Sequence, residues 1–575
     1  MANYRENYEA WRMAKHLPAE LKTELAQIAG DEAEIEDRFY QDLTFGTAGL
    51  RGKLGVGTNR MNEFVVARAT KALAKVILAH GEDKKARGVA IAHDCRIMSP
   101  EFARVCAEVL AAHGIKVYLF DALRPTPELS FAVRHFGCIA GLNITASHNP
   151  KEYNGYKVYW AEGSQIKDDI ADAVLAAMED IGMFDEAGRT DFDEAVSDGL
   201  IEIIGKDVDE AYYKAVMSVS MDDEAVDKDI KIVFTPLNGT GNIPVRTVLA
   251  RMGYKNVTVV KEQEAPDGRF PTVGYPNPED PAAFKLAAEL GRDINADILI
   301  ATDPDADRLA VQVMEDGVAI PFNGNQIGAL LIHYILMQKK RQGTLSDKAA
   351  IIKSIVTGDM GKAIAGAYGV KVFEVLTGFK NISELPNIWD KTDEYEYVFG
   401  YEESIGFNAG NFVRDKDAVS TALLLAEMAG YYKKRGKNLR AVLEELYETY
   451  GYFAEKTVAI ALEGIAGKER IGRMMTGIRT LFPETIGDAA AVRTVDYNSG
   501  EVRDVKTGET SVTDIERTNA FECRYADGSW FTLRPSGTEP KIKLYIYTKA
   551  EDAAASQQKV ADIEATVRAV LDKIE

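Results

Sequence analysis

A serine and a histidine stand side by side in the segment Thr145-Ala-Ser-His-Asn-Pro150. A serine hydroxyl is a weak nucleophile until a neighbouring group takes its proton or stabilises its charge, and His148 beside Ser147 could do so. Apolar runs flank the segment at 138–144 and 156–160, so we predict a loop that leaves a buried strand. Alone, such a pair is more typical of a capping serine beside a surface histidine. Other polar motifs in the chain favour the chemical interpretation.

Three aspartates at alternate positions, Asp303, Asp305 and Asp307, follow a second apolar run. Alternate residues of an extended backbone share one side, so these carboxylates are predicted to converge on one hard cation. An EF-hand calcium loop begins with the same spacing. It needs glycine at its sixth position and glutamate at its twelfth, where this chain has Arg308 and Met314. We exclude that alternative, and three protein ligands would leave coordination positions open for a phosphate oxygen.

Two further loops carry groups that suit a phosphorylated sugar. Gly400-Tyr-Glu-Glu-Ser-Ile-Gly406 presents carboxylates and a hydroxyl between glycines, which suits sugar hydroxyls as well as it suits a solvated acidic turn. Arg534-Pro-Ser-Gly-Thr538 combines a guanidinium, hydroxyls and backbone N–H groups, which favours a phosphate nest over a plain hairpin. The glycine-rich stretch 44–52 with Arg51 is weaker evidence for an anion site, and the turn 377–380 carries a lysine that alone is typical of a surface.

The elements that must position these loops alternate between strand and helix patterns. Strand, helix and strand between residues 88 and 120 predict a parallel, doubly wound α/β sheet. The same alternation restarts further along the chain, and we predict four domains at 1–205, 206–320, 321–450 and 451–575. After the first strand pattern, His93 and Arg96 could face a site, but a core histidine and a surface arginine are the favoured interpretation. Residues 4–29 have apolar positions at helical spacing and predict a helix or helix pair.

Composition limits the class of partner. At 575 residues the chain is too long for one hydrophobic core. Lys and Arg total 68 against 89 for Asp and Glu, and the net charge of −21 opposes nucleic acid and anionic membranes as partners. No apolar signal region opens the chain and no run approaches the ~20 apolar residues of a membrane span, so a cytoplasmic location is expected. The four cysteines are scattered without metal-type spacing and predict reduced, packed thiols.

Taken together, the loops resemble the alpha-D-phosphohexomutase superfamily, and within it the long-chain phosphoglucomutase (phosphoglucomutase/phosphomannomutase) family. The matching motifs are 145–150 for the phosphoserine loop, 303–308 for the metal loop, 400–404 for the sugar loop and 534–538 for the phosphate loop, in the family's order. Here Ile405 stands where many relatives pass directly to glycine. The resemblance implies three related doubly wound α/β domains and a smaller C-terminal α+β domain around a central cleft.

The resemblance also implies an intramolecular phosphotransferase that interconverts glucose 1-phosphate and glucose 6-phosphate. Ser147 would carry the phosphoryl group, glucose 1,6-bisphosphate would be both primer and intermediate, and Mg²⁺ would be bound by Ser147, Asp303, Asp305 and Asp307. The groups near the transferring phosphate would be Arg51, His148 and Lys157, with Lys157 as the proton shuttle. The implied substrate-binding residues are Arg308, Thr377, Gly378, Lys380, Glu402, Ser404, Arg534, Ser536, Gly537 and Thr538.

The pocket motifs leave several substrates open. Phosphomannomutase, phosphopentomutase and hexose bisphosphate synthase activities would use the same groups, a phosphatase would release phosphate to water, and a sugar-phosphate sensor would need neither the serine nor the aspartates. A small-molecule sugar phosphate is the expected partner, and the expected assembly is a monomer or homodimer.

Overall fold

The structure of the chain is a computed structural model that describes residues 4–45, 49–185, 188–462, 464–536 and 541–574. It divides into two compact units. The first contains residues 1–323, 383–393 and 404–436, and the second contains 324–382, 394–403 and 437–575. The four domain boundaries predicted from the sequence remain a prediction.

Short helices open the first unit, as the helical spacing of residues 4–29 predicts. Their bounds are Tyr4–Met13, Ala19–Gln27 and Glu32–Phe39. Trp11 is 1% exposed and makes edge-to-face contacts with Phe39, Phe64 and Phe184. Such aromatic pairs add to the stabilisation that comes from burying their surface area. They therefore hold these helices against the domain that follows.

The first sheet of this unit has parallel strands at its centre. In spatial order its strands are Gly49–Lys53, Tyr153–Trp160, Ala140–Ile144, Val89–His93, Val117–Phe120 and Ile201–Ile204. The pairings of Gly49–Lys53 and Ala140–Ile144 with Tyr153–Trp160 are antiparallel and the others are parallel. Helices connect the strands at Glu63–Ala79, Asp83–Arg87, Ser99–Ala112, Thr126–Phe136, Asp168–Glu179 and Phe192–Ser197. Every residue of Val89–His93 and Ala140–Ile144 is buried, as expected of strands covered on both faces.

A second sheet in the same unit carries the aspartates. Its strands, in spatial order, are Val318–Pro321, Leu309–Glu315, Ile298–Thr302, Ile232–Thr235 and Val257–Val259. Its helices and short 3₁₀ turns are Lys206–Met217, Asp223–Ala225, Asn242–Arg251, Lys261–Gln263, Pro281–Phe284 and Lys285–Ile294. The unit also holds strand Gly406–Asn408 and helix Ala418–Lys433.

The second unit combines a parallel sheet with an antiparallel one. Strands Lys371–Val375, Ala349–Ser354 and Glu396–Glu402 are parallel, and they are accompanied by helices Gly324–Gln342, Met360–Ala367 and Leu439–Tyr450. Helix Phe379–Thr392 contributes residues to both units. The antiparallel strands are Tyr452–Ala461, Lys541–Ala550, Trp530–Pro535, Phe521–Tyr525, Ala489–Asp496, Glu501–Asp504 and Thr510–Val512, with Thr485–Ile486 beside Ala489–Asp496.

The C-terminal helices complete this antiparallel layer. Their bounds are Gly464–Leu481 and Ala553–Asp572. The final helix buries Val560, Ile563, Val567 and Leu571 in the core of this layer, so one face of the helix is apolar. All four cysteines are free thiols, as predicted. Within the residues that the structure describes, none of the helices combines the length and the apolar character that a bilayer crossing requires.

A buried charge cluster lies in the second unit. The Lys353 side chain is 0% exposed, and its ammonium lies 3.2 Å from Asp359 Oδ1 and 3.2 Å from Glu374 Oε1. It also donates to Thr357 O at 2.7 Å, and Arg524 Nη1 lies 2.9 Å from Asp359 Oδ2. The charge of Lys353 outweighs burial and lowers the pKa of Glu374 to about 2.

We expect acid to destabilise this cluster. In the unfolded chain Glu374 titrates near 4.5, whereas the folded protein holds its pKa at about 2, so its contribution is present above pH 4.5 and is lost as the pH falls toward 2. The difference corresponds to about 3 kcal/mol. Urea unfolding at pH 6 and pH 3 should show a smaller pH dependence in Glu374→Gln than in wild type. Glu445→Gln is the control, because Glu445 forms an exposed ion pair with Lys437, and it should leave the pH dependence of unfolding unchanged. An unchanged pH dependence in Glu374→Gln would contradict the assignment.

Candidate active site

The serine loop follows the buried strand Ala140–Ile144, as predicted. Ser147 is 4% exposed, and its Oγ donates to Asp303 Oδ2 at 2.8 Å and lies 3.1 Å from His148 Nδ1. Its amide donates to Thr145 Oγ1 at 2.9 Å. The backbone of Ser147 has φ 50°, a left-handed conformation that costs free energy in a residue other than glycine. The hydroxyl is therefore directed at the aspartates by a strained turn.

The three aspartates converge as predicted, but by a different local geometry. One carboxylate oxygen from each aspartate lies within 4.8 Å of those from the other two. The backbone after strand Ile298–Thr302 is a turn rather than an extended segment, because Ala306 has φ 50° and its amide donates to the carbonyl of Asp303. The amides of Asp307 and Arg308 donate to Asp303 Oδ1 at 3.2 and 2.9 Å.

These carboxylates fit a cation. Asp303 and Asp305 are 0% exposed and Asp307 is 2% exposed. Among the described residues, Asp305 Oδ1 and Asp307 Oδ1 are buried without a hydrogen-bond partner. Burial, together with the charges of Asp305 and Asp307, raises the pKa of Asp303 well above its ordinary value. A set of buried carboxylate oxygens with unused lone pairs is what Mg²⁺ and similar hard cations bind.

Two lysines partly balance this charge. Lys157, on strand Tyr153–Trp160, places its Nζ 2.7 Å from Asp305 Oδ2 and 3.4 Å from Asp307 Oδ2. Lys416 Nζ lies 3.3 Å from Asp307 Oδ2. Burial opposes the charge on Lys157, but the two carboxylates raise its pKa above the ordinary value. The lysine in turn lowers the pKa of Asp305 against the effect of burial.

Arg308 and His148 also lie at this site. Burial and the charges of Arg308 and Arg51 hold the pKa of His148 well below its ordinary value. Arg308 Nη1 donates to Ser404 O at 3.2 Å, and the amide of Leu309 donates to Ile405 O. Ile405 is buried with φ 54°, so the isoleucine of this motif occupies a strained turn packed on the metal loop.

Arg51 of the glycine-rich stretch lies on a strand. In Gly49–Lys53 it stands opposite Gly155, and its Nη1 donates to Asn149 Oδ1 at 3.1 Å. Glycines also serve where a neighbouring strand approaches closely. A Cβ at Gly49 would lie 1.9 Å from the carbonyl oxygen of Tyr156. Residues 46–48 are outside the described residues.

The predicted sugar loop is shorter than the sequence indicated. Strand Glu396–Glu402 continues through the first residues of the motif. In the second unit, Glu402 Oε1 accepts from the amide of Gly378 at 2.7 Å, and the carbonyl of Thr377 accepts from Asn381 Nδ2. Lys380 lies in the first turn of helix Phe379–Thr392 rather than in a turn between elements.

The predicted phosphate loop is described only in part. Arg534 lies near the end of strand Trp530–Pro535, opposite Lys543 on strand Lys541–Ala550. The amide of Ser536 donates to Lys541 O at 2.8 Å. Gly537 and Thr538 lie outside the described residues, so their predicted role in a phosphate nest stays a prediction.

Family models match the chain along most of its length. They are the phosphoglucomutase/phosphomannomutase alpha/beta/alpha domains I, II and III at residues 42–183, 210–317 and 323–450, and the C-terminal domain at residues 489–565. The chain belongs to the phosphoglucomutase/phosphomannomutase family. Three related α/β domains and a C-terminal domain are therefore present, as the sequence motifs predict.

Curated relatives in this family extend over nearly the whole chain. A phosphoglucomutase of Staphylococcus saprophyticus is 38% identical over 536 residues, which cover 93% of this chain and 94% of the relative. A phosphoglucomutase of Staphylococcus aureus is 38% identical over 535 residues, which cover 92% of this chain and 94% of that relative.

Solved structures of the family share the fold. A putative phosphomannomutase from Thermus thermophilus has a TM-score of 0.67 at 23% identity and covers 92% of this chain and 99% of its own. The open form of parafusin, a phosphoglucomutase from Paramecium, has a TM-score of 0.66 at 17% identity and covers 93% and 95%.

Three side chains at this site had been given no role from the sequence: Lys416, Asp415 and Arg96. Lys416 reaches Asp307, while its neighbour Asp415 accepts from Lys416 Nζ at 3.1 Å and from the Tyr159 hydroxyl at 2.7 Å. A signal for Lys416 and Asp415 was present in the sequence: charges alternate along residues 414–417, directly before helix Ala418–Lys433, which is buried along nearly its whole length. Arg96, interpreted as a surface residue, is instead 1% exposed and contacts the serine loop, so that interpretation was wrong. His93 is a core histidine, as predicted, and hydrogen-bonds to Asp94 O.

Proposed function

We propose that this chain is a phosphoglucomutase that interconverts α-D-glucose 1-phosphate and glucose 6-phosphate. The observation that carries the proposal is the hydroxyl of Ser147, buried and hydrogen-bonded to Asp303 within a family whose curated relatives are phosphoglucomutases. The aspartates and the serine loop together suit a phosphoryl group that is held on Ser147 and passed to a sugar.

In the proposed reaction phospho-Ser147 is the donor. The P–O bond to Ser147 Oγ breaks as a bond forms to the free hydroxyl oxygen of the hexose phosphate, giving glucose 1,6-bisphosphate. The proton that leaves the sugar hydroxyl is the one that the serine oxygen regains, and Lys157 is the predicted shuttle for it. The bisphosphate then returns its other phosphoryl group to Ser147, so the net change exchanges position 1 for position 6.

The chain's own residues would lower the barrier by position and charge. Lys157, Arg308 and Arg51 supply positive charge around the transferring group, and His148 Nδ1 lies within hydrogen-bond distance of the serine oxygen. Asp303, Asp305 and Asp307 would hold magnesium, which supplies charge neutralisation for the phosphoryl oxygens when bound. The low exposure of Ser147 protects its phosphate ester from water.

The remaining motif residues are proposed to bind the substrate. Contacts to the sugar are assigned to Thr377, Gly378, Lys380, Glu402 and Ser404. The phosphate that does not react is assigned to Arg534, Ser536, Gly537 and Thr538. Glucose 1,6-bisphosphate is the proposed primer, and a monomer or homodimer is the proposed assembly.

The test is a comparison of kcat/KM for the 1-phosphates of glucose, mannose and ribose, with magnesium and a trace of bisphosphate primer. Glucose is expected to exceed the others by more than about 10-fold, a difference of about 1.4 kcal/mol in the transition state. A higher kcat/KM for mannose 1-phosphate or ribose 1-phosphate would show that the proposed substrate is wrong, while the proposed mechanism would still hold. Free phosphate accumulating in step with substrate loss would indicate a phosphatase, and no turnover of any substrate would indicate a sensor.

A further inference from the structure

The guanidinium of Arg96 is buried beneath the serine loop, and its side chain is 0% exposed. Nη2 donates to the carbonyls of Ser147 and Asn149, both at 2.5 Å. Nη1 donates to the carbonyls of Pro150 and Tyr153 at 2.9 and 3.0 Å. One planar group therefore binds four main-chain carbonyls within seven residues, and the first belongs to the nucleophile itself.

The loop needs such an external support because Ser147 is strained. A left-handed backbone in a residue with a Cβ persists only when its surroundings hold it. Thr145 Oγ1 accepts a hydrogen bond from the amide of Ser147, and Arg96 donates one to the carbonyl of Ser147. The peptide groups before and after the serine are therefore both fixed. That conformation directs the serine Oγ at Asp303 Oδ2.

Arg96 is itself held from two sides. Asp94 Oδ2 lies 3.3 Å from Arg96 Nε, and Asp94 Oδ1 accepts from the Arg96 amide and from Ser99 Oγ. The ring of Phe270 lies 5.1 Å from the guanidinium carbon, a cation–π contact. The chain beside Phe270 passes very close, because a Cβ at Gly268 would lie 2.7 Å from Arg96 Cα.

We propose that Arg96 is a positioning residue for phosphoryl transfer: it holds Ser147 in the left-handed backbone conformation from which its hydroxyl reaches the aspartates, and Phe270 fixes Arg96 in place. This inference rests on the proposed phosphoryl transfer at Ser147. A lysine cannot replace the arginine, because a single ammonium cannot span four carbonyls as a planar fork does.

The first experiment measures phosphorylation of Ser147 by glucose 1,6-bisphosphate in a single turnover, together with steady-state kcat and KM. Arg96→Lys should lower the transfer rate and kcat by about 10²-fold and leave KM within about 3-fold. The reason is that the substitution displaces the nucleophile Ser147 and leaves the proposed substrate-binding residues in place. Arg104→Lys is the matched control, because Arg104 also pairs with an acid, Glu108, and lies 4.3 Å from the ring of Phe192. It should behave as wild type.

A chemical rescue separates positioning from general destabilisation. In Arg96→Ala, guanidinium at millimolar concentrations, well below denaturing levels, should restore transfer at least about 5-fold, and it should not stimulate Ser147→Ala. Phe270→Leu, which keeps an apolar side chain, should lower kcat about 3- to 10-fold, whereas Phe192→Leu should not. A folded Arg96→Ala that guanidinium fails to stimulate, or an Arg96→Lys with wild-type transfer, overturns the proposal.

Hydrogen–deuterium exchange keeps this test independent of the reaction. Peptides covering residues 145–153 should exchange at least about 10-fold faster in Arg96→Lys than in wild type, and Arg104→Lys should leave them unchanged. If wild type does not phosphorylate Ser147, the proposed function fails, and exchange alone then decides whether Arg96 holds the loop. Unchanged exchange in Arg96→Lys overturns the positioning role.

Discussion

Ser147→Ala is expected to reduce turnover of glucose 1-phosphate by about 10⁴-fold or more. The hydroxyl is the only group removed, and its oxygen is the atom proposed to carry the phosphoryl group between the two positions of the sugar. Loss of a nucleophile leaves no alternative path of similar barrier, so the effect is expected in kcat. The measurement is a coupled assay of glucose 6-phosphate formation with bisphosphate primer present.

Binding of the sugar phosphate should survive this change. The proposed grip on the sugar and on the distal phosphate uses other residues, so the Kd of glucose 6-phosphate measured by calorimetry should stay within about 3-fold. Ser218→Ala, at the end of helix Lys206–Met217, is the control, because its hydroxyl makes a local hydrogen bond to Ala215 O. Wild-type turnover by Ser147→Ala would contradict the phosphoserine mechanism.

Asp305→Asn is expected to lower kcat by about 10³-fold and to abolish the response to magnesium. The amide replaces a carboxylate that is 0% exposed, that binds Lys157 and Thr126 through Oδ2, and whose Oδ1 has no hydrogen-bond partner among the described residues. Removing one negative charge weakens binding of a divalent cation and leaves the ammonium of Lys157 with less compensation.

Two measurements test this second expectation. Activity is titrated with magnesium, and binding of magnesium alone is followed by calorimetry, which does not depend on turnover. Asp316→Asn is the control, because it makes the same change of charge at an exposed aspartate in the turn between strands Leu309–Glu315 and Val318–Pro321. A magnesium response in Asp305→Asn equal to that of wild type would contradict the metal assignment.

Loops that follow buried strands were predictable because their signals are local. The apolar run before Ser147 and the alternating aspartates at 303–307 are each contained in about ten residues, and α/β sheets place chemistry at the carboxyl ends of their strands. The end of strand Glu396–Glu402 was misplaced because the glycine and acidic residues of the motif read as a turn, while pairing with Ala349–Ser354 extends the strand through them.

The sequence by itself determined the family, the order of the four motifs and the identity of the serine and aspartates. Only the tertiary structure decided which distant groups support them. Arg96 looks like any surface arginine until residues 147–153 fold over its guanidinium, and Lys416 is one charge in an alternating run until it reaches Asp307, more than a hundred residues away. Such contacts depend on long-range packing, which brings together polar groups whose local patterns do not distinguish a buried partner from a solvated side chain.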